Sequence, residues 1–164
     1  MKHLLFLLFF VSFFSNAQDL KEIRSQYPQA VESVENTSKL DQTFSAINVS
    51  SNPILRAYKG AVLTLKAKFS KKKSDKKEFF KEGVSLIESA ANAEPSNIEI
   101  RYIRLSVQEN SPKFLGYDNN IESDKNFILK NCANISSKEL KNIIREFALN
   151  SRNFSDSEKL ILSK

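Results

Sequence analysis

The sequence predicts an all-α protein made of antiparallel helical hairpins, a short repeat-like helical bundle. Three observations carry that expectation. Apolar residues recur at spacings of three and four along most of the chain, as in helices with one buried face. The 164 residues include only three glycines and four prolines, too few for the many turns of a β-sandwich or barrel. No stretch alternates apolar and polar residues over the length of a strand.

The first seventeen residues stand apart from the rest. Lys2 and His3 form a short cationic start, an apolar run follows from Leu4 to Phe14, and Ser15-Asn16-Ala17 ends in small residues. This is the layout of a secretory signal peptide cleaved after Ala17. The run is too short to span a bilayer, which takes roughly 20 residues. Residues 1–17 are therefore expected to be a signal peptide and residues 18–164 a single α-helical domain. The product would be exported, periplasmic or extracellular, with no transmembrane segment after cleavage. Gln18 stands where bacterial lipid attachment would need a cysteine.

Along the body of the chain, Asp19 to Val49 is sparse in apolar residues, with one helix expected around Gln29–Glu35 and another from Lys39 to Ile47. Asn52-Pro53 opens a helix, with a capping side chain before a proline whose missing N–H costs nothing in the first turn. Its stripe is Ile54, Tyr58, Ala61, Val62, Leu65 and Phe69. The lysine-dominated segment Phe69–Lys77 reads as a loop. Asp75 with Glu78 has capping-box spacing ahead of Phe79, Phe80, Val84, Ile87, Ala90 and Ala91, and Pro95 ends that helix. Ser96 with Glu99 opens the next, whose Ile98, Ile100, Tyr102, Ile103, Leu105 and Val107 are apolar on enough sides to be largely buried. A loop with Pro112 and Gly116 spans Asn110–Asn120, and a helix starts near Asn120. Ser136 with Glu139, and Ser155 with Glu158, cap the last two helices.

Gly83, Ile87, Ala90 and Pro95 fall at the offsets of a small residue, a large apolar residue, an alanine and a proline in the second half of a tetratricopeptide repeat. The chain from Asn52 to Asn97 resembles that repeat, and Tyr58-Lys59-Gly60-Ala61 is similar to the close-contact glycine region of its first helix. Two departures stand out: the lysine-rich segment lengthens what is a tight turn in the family, and the family's first aromatic is missing. The resemblance implies a groove between helices that holds a peptide or partner protein. The run Pro95 to Tyr102, continued by Pro112 to Tyr117, is similar to a segment of small exported proteins of flavobacteria and their relatives. That likeness implies export and a helical fold, and no activity.

Residue counts exclude much chemistry. The one histidine is His3, so a chain cleaved after Ala17 cannot build a Ser-His-Asp triad, a Cys-His dyad or a histidine-bearing zinc site. Three scattered glycines make no phosphate-binding loop. No cofactor is expected, and the balance leans away from an enzyme. Cys132 is the only cysteine, so no internal disulfide forms, and its apolar neighbours point to a buried, inert thiol.

Three constellations are candidate sites. Arg101, Arg104 and Gln108 share a helix face, and Tyr117 lies in the Phe114–Tyr117 turn beyond it. Two guanidinium groups and an amide there would line a groove that receives a carboxylate or peptide; in the other reading the arginines pair with Glu94, Glu99 or Asp118 and fix the loop. The lysine run from Lys66 to Lys81, centred on Lys71, Lys72 and Lys73, suits an anionic envelope surface or a solvated interhelix loop. The net charge of +6 agrees with either, and the run has no arginine and, from Lys71 to Lys77, no interleaved aromatic residue of the kind that would suggest nucleic acid. Asp118, Glu122 and Asp124 cluster in oxygen-rich sequence, but their spacing departs from a calcium loop and suits a polar turn; no metal site is expected. The leading functional expectation is an exported helical binding or scaffolding protein that engages a peptide or protein. The alternatives are envelope adhesion through the lysines and a carboxylate-dependent hydrolase.

Overall fold

A computed structural model describes residues 20–46, 49 and 52–163; the expected signal peptide lies outside the described residues. The described chain is helical throughout and contains no strand, as the 3.6-residue periodicity requires. Its helices are α1 (20–30), α2 (Val34–Ala46), α3 (Pro53–Phe69), α4 (Lys73–Ala93), α5 (Ile98–Asn110), α6 (Ile121–Asn131), α7 (Lys138–Asn150) and α8 (Asp156–Leu162).

The α3–α4 hairpin is the centre of the fold. Helix α2 lies against α3, α5 packs on both members of the hairpin, α6 and α7 pack on α5, and α8 reaches both α6 and α7. The two long helices approach each other through glycine. A β-carbon built on Gly60 would stand 2.5 Å from the Gly83 carbonyl oxygen, and one on Gly83 would stand 2.5 Å from the Gly60 carbonyl oxygen. With hydrogen at both positions the backbones meet directly, and Tyr58, Val62 and Ile87 close the core beside them, fully buried. Helix α5 adds Ile100, Ile103 and Leu105, also fully buried; it is enclosed on most sides, as its apolar residues predict.

Several boundaries differ from expectation. The helix expected around Gln29–Glu35 is instead a break at 31–33 between α1 and α2. Thr37 Oγ1 donates to the carbonyls of Ala30 (2.8 Å) and Ser33 (2.9 Å), and Ser33 Oγ accepts from Asn36 N–H. Short hydroxyl side chains that satisfy local backbone groups end one helix and start the next. Helix α1 itself was legible only as Ile23, Tyr27 and Ala30, three buried residues at spacings of four and three.

The lysine-rich loop expected over Phe69–Lys77 shrinks to a turn at 70–72. Helix α4 begins at Lys73, after an N-terminal cap residue, Lys72, that makes no side-chain cap bond. Asp75 lies in the first turn, where a carboxylate favours the helix dipole, and not at the cap. The lysine-rich residues therefore extend the two helices and not the turn. Asn97 caps α5 in place of Ser96, and Ser137 caps α7 in place of Ser136; adjacent polar residues compete for one cap, and spacing to the glutamate does not separate them. The Asn52-Pro53 start of α3 and the reciprocal Ser155–Glu158 box of α8 are present as read from sequence.

Candidate functional site

Because α3 and α4 run on past the glycine crossing, their paired ends form one wall of a concavity. Thr64, Leu65, Ala67 and Lys68 contribute from α3, and Lys73, Lys76, Lys77, Phe80 and Lys81 from α4. Tyr27, from the end of α1, with Tyr102, Ser106 and Val107 of α5, makes the floor, and Ile143, Glu146 and Phe147 of α7 stand opposite. The turn carrying Phe114 and Leu115 closes one end. The groove has a volume of about 1100 Å³, at or above the upper end for small-molecule sites, roughly 300–1,000 Å³.

The floor is rigid. Tyr27 and Ser106 share a buried hydroxyl–hydroxyl hydrogen bond of 2.8 Å, and Ser106 donates to the Ile103 carbonyl. The Tyr27 ring stands edge-on to Tyr58 and Tyr102, with centroids 5.3 and 6.4 Å away, and Tyr102 meets Phe147 at 5.2 Å. Burial pushes the Tyr27 phenol up to about 12 and the Tyr58 and Tyr102 phenols well above their ordinary value. Under Tyr58, Glu99 is 1% exposed; it takes two hydrogen bonds from Arg24, at 2.7 and 2.6 Å, and one from the Tyr58 hydroxyl at 2.9 Å. That chelate fixes α1 to the start of α5.

The rim has opposite properties. Lys73, Lys76, Lys77 and Lys81 are exposed, and none takes part in an ion pair among the described residues. Phe114 is 86% exposed and Leu115 40%, so the end turn presents bare apolar surface beside them. The first two lysines of the run are already engaged: Lys66 pairs with Asp41 at 2.7 Å, and Lys68 donates to the Val31 carbonyl at 3.0 Å.

Arg101, Arg104, Gln108 and Tyr117 do come together, but not as an open groove. The carboxylate that both guanidinium groups receive is the chain's own Asp124, which is fully buried. Arg104 grips it with two nitrogens, at 2.7 and 2.8 Å, and Arg101 adds a third bond at 2.7 Å. Arg104 also reaches Glu88 at 3.0 Å, and Glu88 accepts the Tyr117 hydroxyl at 2.7 Å. Burial, and then that hydrogen bond, raise the Tyr117 phenol far above its ordinary value. Gln108 reaches Asn120 at 3.4 Å. This network ties α4, α5, α6 and the Tyr117 turn to one another, which corrects the pairing read from sequence: the partners are Asp124 and Glu88, not Glu94, Glu99 or Asp118.

Of the other candidates, Lys71 and Lys72 stand exposed in the hairpin turn, and Lys73 begins the groove wall. Asp118, Glu122 and Asp124 do not converge: Asp118 is exposed, Glu122 pairs with Lys125, and Asp124 is buried with the arginines. No grouping of acids, cysteine or histidine suited to a metal occurs among the described residues. Cys132 is buried, and burial raises its thiol. No described helix is long and apolar enough to cross a membrane. No protein-family model matches the chain, and no curated protein or solved structure is significantly similar to it.

Proposed function

We propose that this is an exported helical binding or scaffolding protein that holds a peptide or a segment of a partner protein in the groove between the α3–α4 hairpin and helices α5 and α7. The observation that carries the reading is the groove itself: a concavity of about 1100 Å³ with a fixed aromatic floor and an exposed apolar end at Phe114 and Leu115. Exposed apolar surface joined to a concave site is what a binding protein keeps free for its ligand. Among the described residues the buried carboxylates are Glu99, held by Arg24 and Tyr58, and Asp124, held by Arg101 and Arg104, which favours binding over hydrolysis by paired acids. The Gly60–Gly83 approach and the Pro95 exit support a hairpin packed as in a tetratricopeptide repeat, here with longer arms.

Selection from a displayed random-peptide library tests the reading. Enriched peptides should bind the protein and lose binding to Phe114→Glu and Leu115→Glu variants, whose side chains lie on an exposed turn and leave the core untouched. Failure to enrich any peptide, or binding that both variants retain, would overturn it.

A further inference from the structure

We propose that the occupant of the groove is an amphipathic helix of a partner protein, with its apolar face on the floor and an acidic edge along α4. The inference rests on the peptide-binding reading and names the chemistry of the ligand.

Two observations decide the form of the occupant. The long sides of the groove are the helices α3, α4, α5 and α7, and no strand occurs among the described residues, so the backbone N–H and C=O groups along them are already bonded within helices. An extended peptide laid there would find no strand edge to pair with, and its own backbone groups would lose water over apolar residues such as Leu65, Val107 and Phe147 without replacement. A helix satisfies its backbone internally and offers side chains alone, the helix-in-groove mode.

The charge follows from the lysines. Lys73, Lys76, Lys77 and Lys81 recur at spacings of three, one and four residues, so they stand on one side of α4 over about 12 Å of helix axis. All four line the groove and are exposed, and none has an acidic partner among the described residues. One carboxylate, such as that of a fatty acid, would meet one or two of them and leave the others unmatched. A helix with acidic residues every three or four positions presents its charges at the same pitch. Glu146 lines the groove from α7, opposite the α3–α4 wall, so acidic residues on that edge of the ligand would be repelled. The ligand is thereby oriented: acidic toward α4, neutral or basic toward α7.

The test uses capped synthetic helices of about fourteen residues, nearly twice the span of the lysine row, with a leucine face and an edge of Glu, Gln or Lys. Binding to the protein is read by fluorescence anisotropy, with palmitate and anionic phospholipid vesicles as further ligands. The Glu-edged peptide should bind about tenfold more tightly than the Gln-edged one, since each exposed pair contributes only a little. That preference should fade as salt shortens the screening length, and the Lys-edged peptide should bind more weakly than either. Replacing all four lysines by Gln should bring the Glu-edged peptide down to the Gln-edged level and leave the latter unchanged, whereas Leu115→Glu should weaken both. Equal affinity for the Glu and Gln edges would overturn the acidic edge and leave the peptide groove standing. Tighter binding of palmitate, of the vesicles, or of library-selected peptides that stay extended would overturn the helical occupant. Binding of no peptide in either experiment would remove the groove reading itself.

Discussion

Replacing Gly60 with alanine sets two effects of opposite sign against each other at one atom. Alanine in a helix interior is favoured over glycine by about 1 kcal/mol, so on local grounds the variant should be more stable. The new methyl group, however, would lie 2.5 Å from the Gly83 carbonyl oxygen, 2.8 Å from Ile87 Cγ1 and 3.1 Å from the Ile87 nitrogen. The isoleucine carbon can move, but the carbonyl and the nitrogen belong to the hydrogen-bonded backbone of α4, so the whole helix must shift. Overpacking of this kind costs about 1–3 kcal/mol and more where the obstacle is rigid, which leaves a net loss of about 2 kcal/mol after the helix-propensity gain. For a chain of this length that is a fall of about 4–8 °C in Tm. Urea unfolding followed by far-ultraviolet circular dichroism measures it. Gly83→Ala should cost a similar amount, and the double variant less than the sum, because one widening of the crossing relieves both clashes. A Gly60→Ala protein as stable as the parent, or more so, would refute the close approach.

Three further outcomes follow from the buried polar groups. Asp124→Ala takes from Arg101 and Arg104 the buried carboxylate they share, leaving Arg104 only Glu88, and should cost about 3 kcal/mol by urea unfolding, whereas Arg104→Met combined with Asp124→Leu should recover much of that loss. All four tyrosines of the chain have raised phenol values, Tyr27 at about 12. The neutral phenol is thus the form the fold favours, so the stabilisation is complete below the unfolded value of about 10 and is lost as pH rises through the folded values. Ultraviolet absorbance should show no phenolate in the ordinary tyrosine range, then ionisation together with loss of helix above about pH 12, near the value of Tyr27. Cys132, buried with a raised thiol, should react with a chromogenic disulfide only as fast as the protein opens, and urea should accelerate it sharply.

The all-helical body could be read from the sequence because stripes such as Ile54–Tyr58–Ala61–Leu65 need nothing beyond period and length. Most cap positions were legible to within a residue: Asn97 and Ser137 took the role from their neighbours because a cap is chosen by backbone direction, whereas the cap of α4 is Lys72, three residues before the expected Asp75. The first helix was hidden: Ile23, Tyr27 and Ala30 are its only deeply buried hydrophobics, and its main anchor, Arg24 on Glu99, spans 75 positions. The lysine run was visible, but its composition suggested a loop. Hydrophobic residues flanking it, Phe69 on one side and Phe79 and Phe80 on the other, were the available sign that helix continued through it. The arginine face was located correctly and its partners were not, since Asp124 and Glu88 lie 20 and 16 residues from Arg104 on other helices. The groove was the least legible feature, because it is the space left between five helices and no local pattern encodes it.

The glycine crossing also has a mechanical side. Gly60 and Gly83 lie partway along their helices, and the stretch beyond them, tied through Lys66 to Asp41 and through Lys68 to the Val31 carbonyl, is the groove wall. Nine residues separate Gly60 from Phe69, a lever arm of about 13 Å. A rotation of about 10° at this fulcrum swings the wall by about 2 Å, more than the rise of one helical residue. Groove width is therefore sensitive to one backbone contact deep in the core: a residue larger than glycine at either position would reset the wall as well as weaken the hairpin.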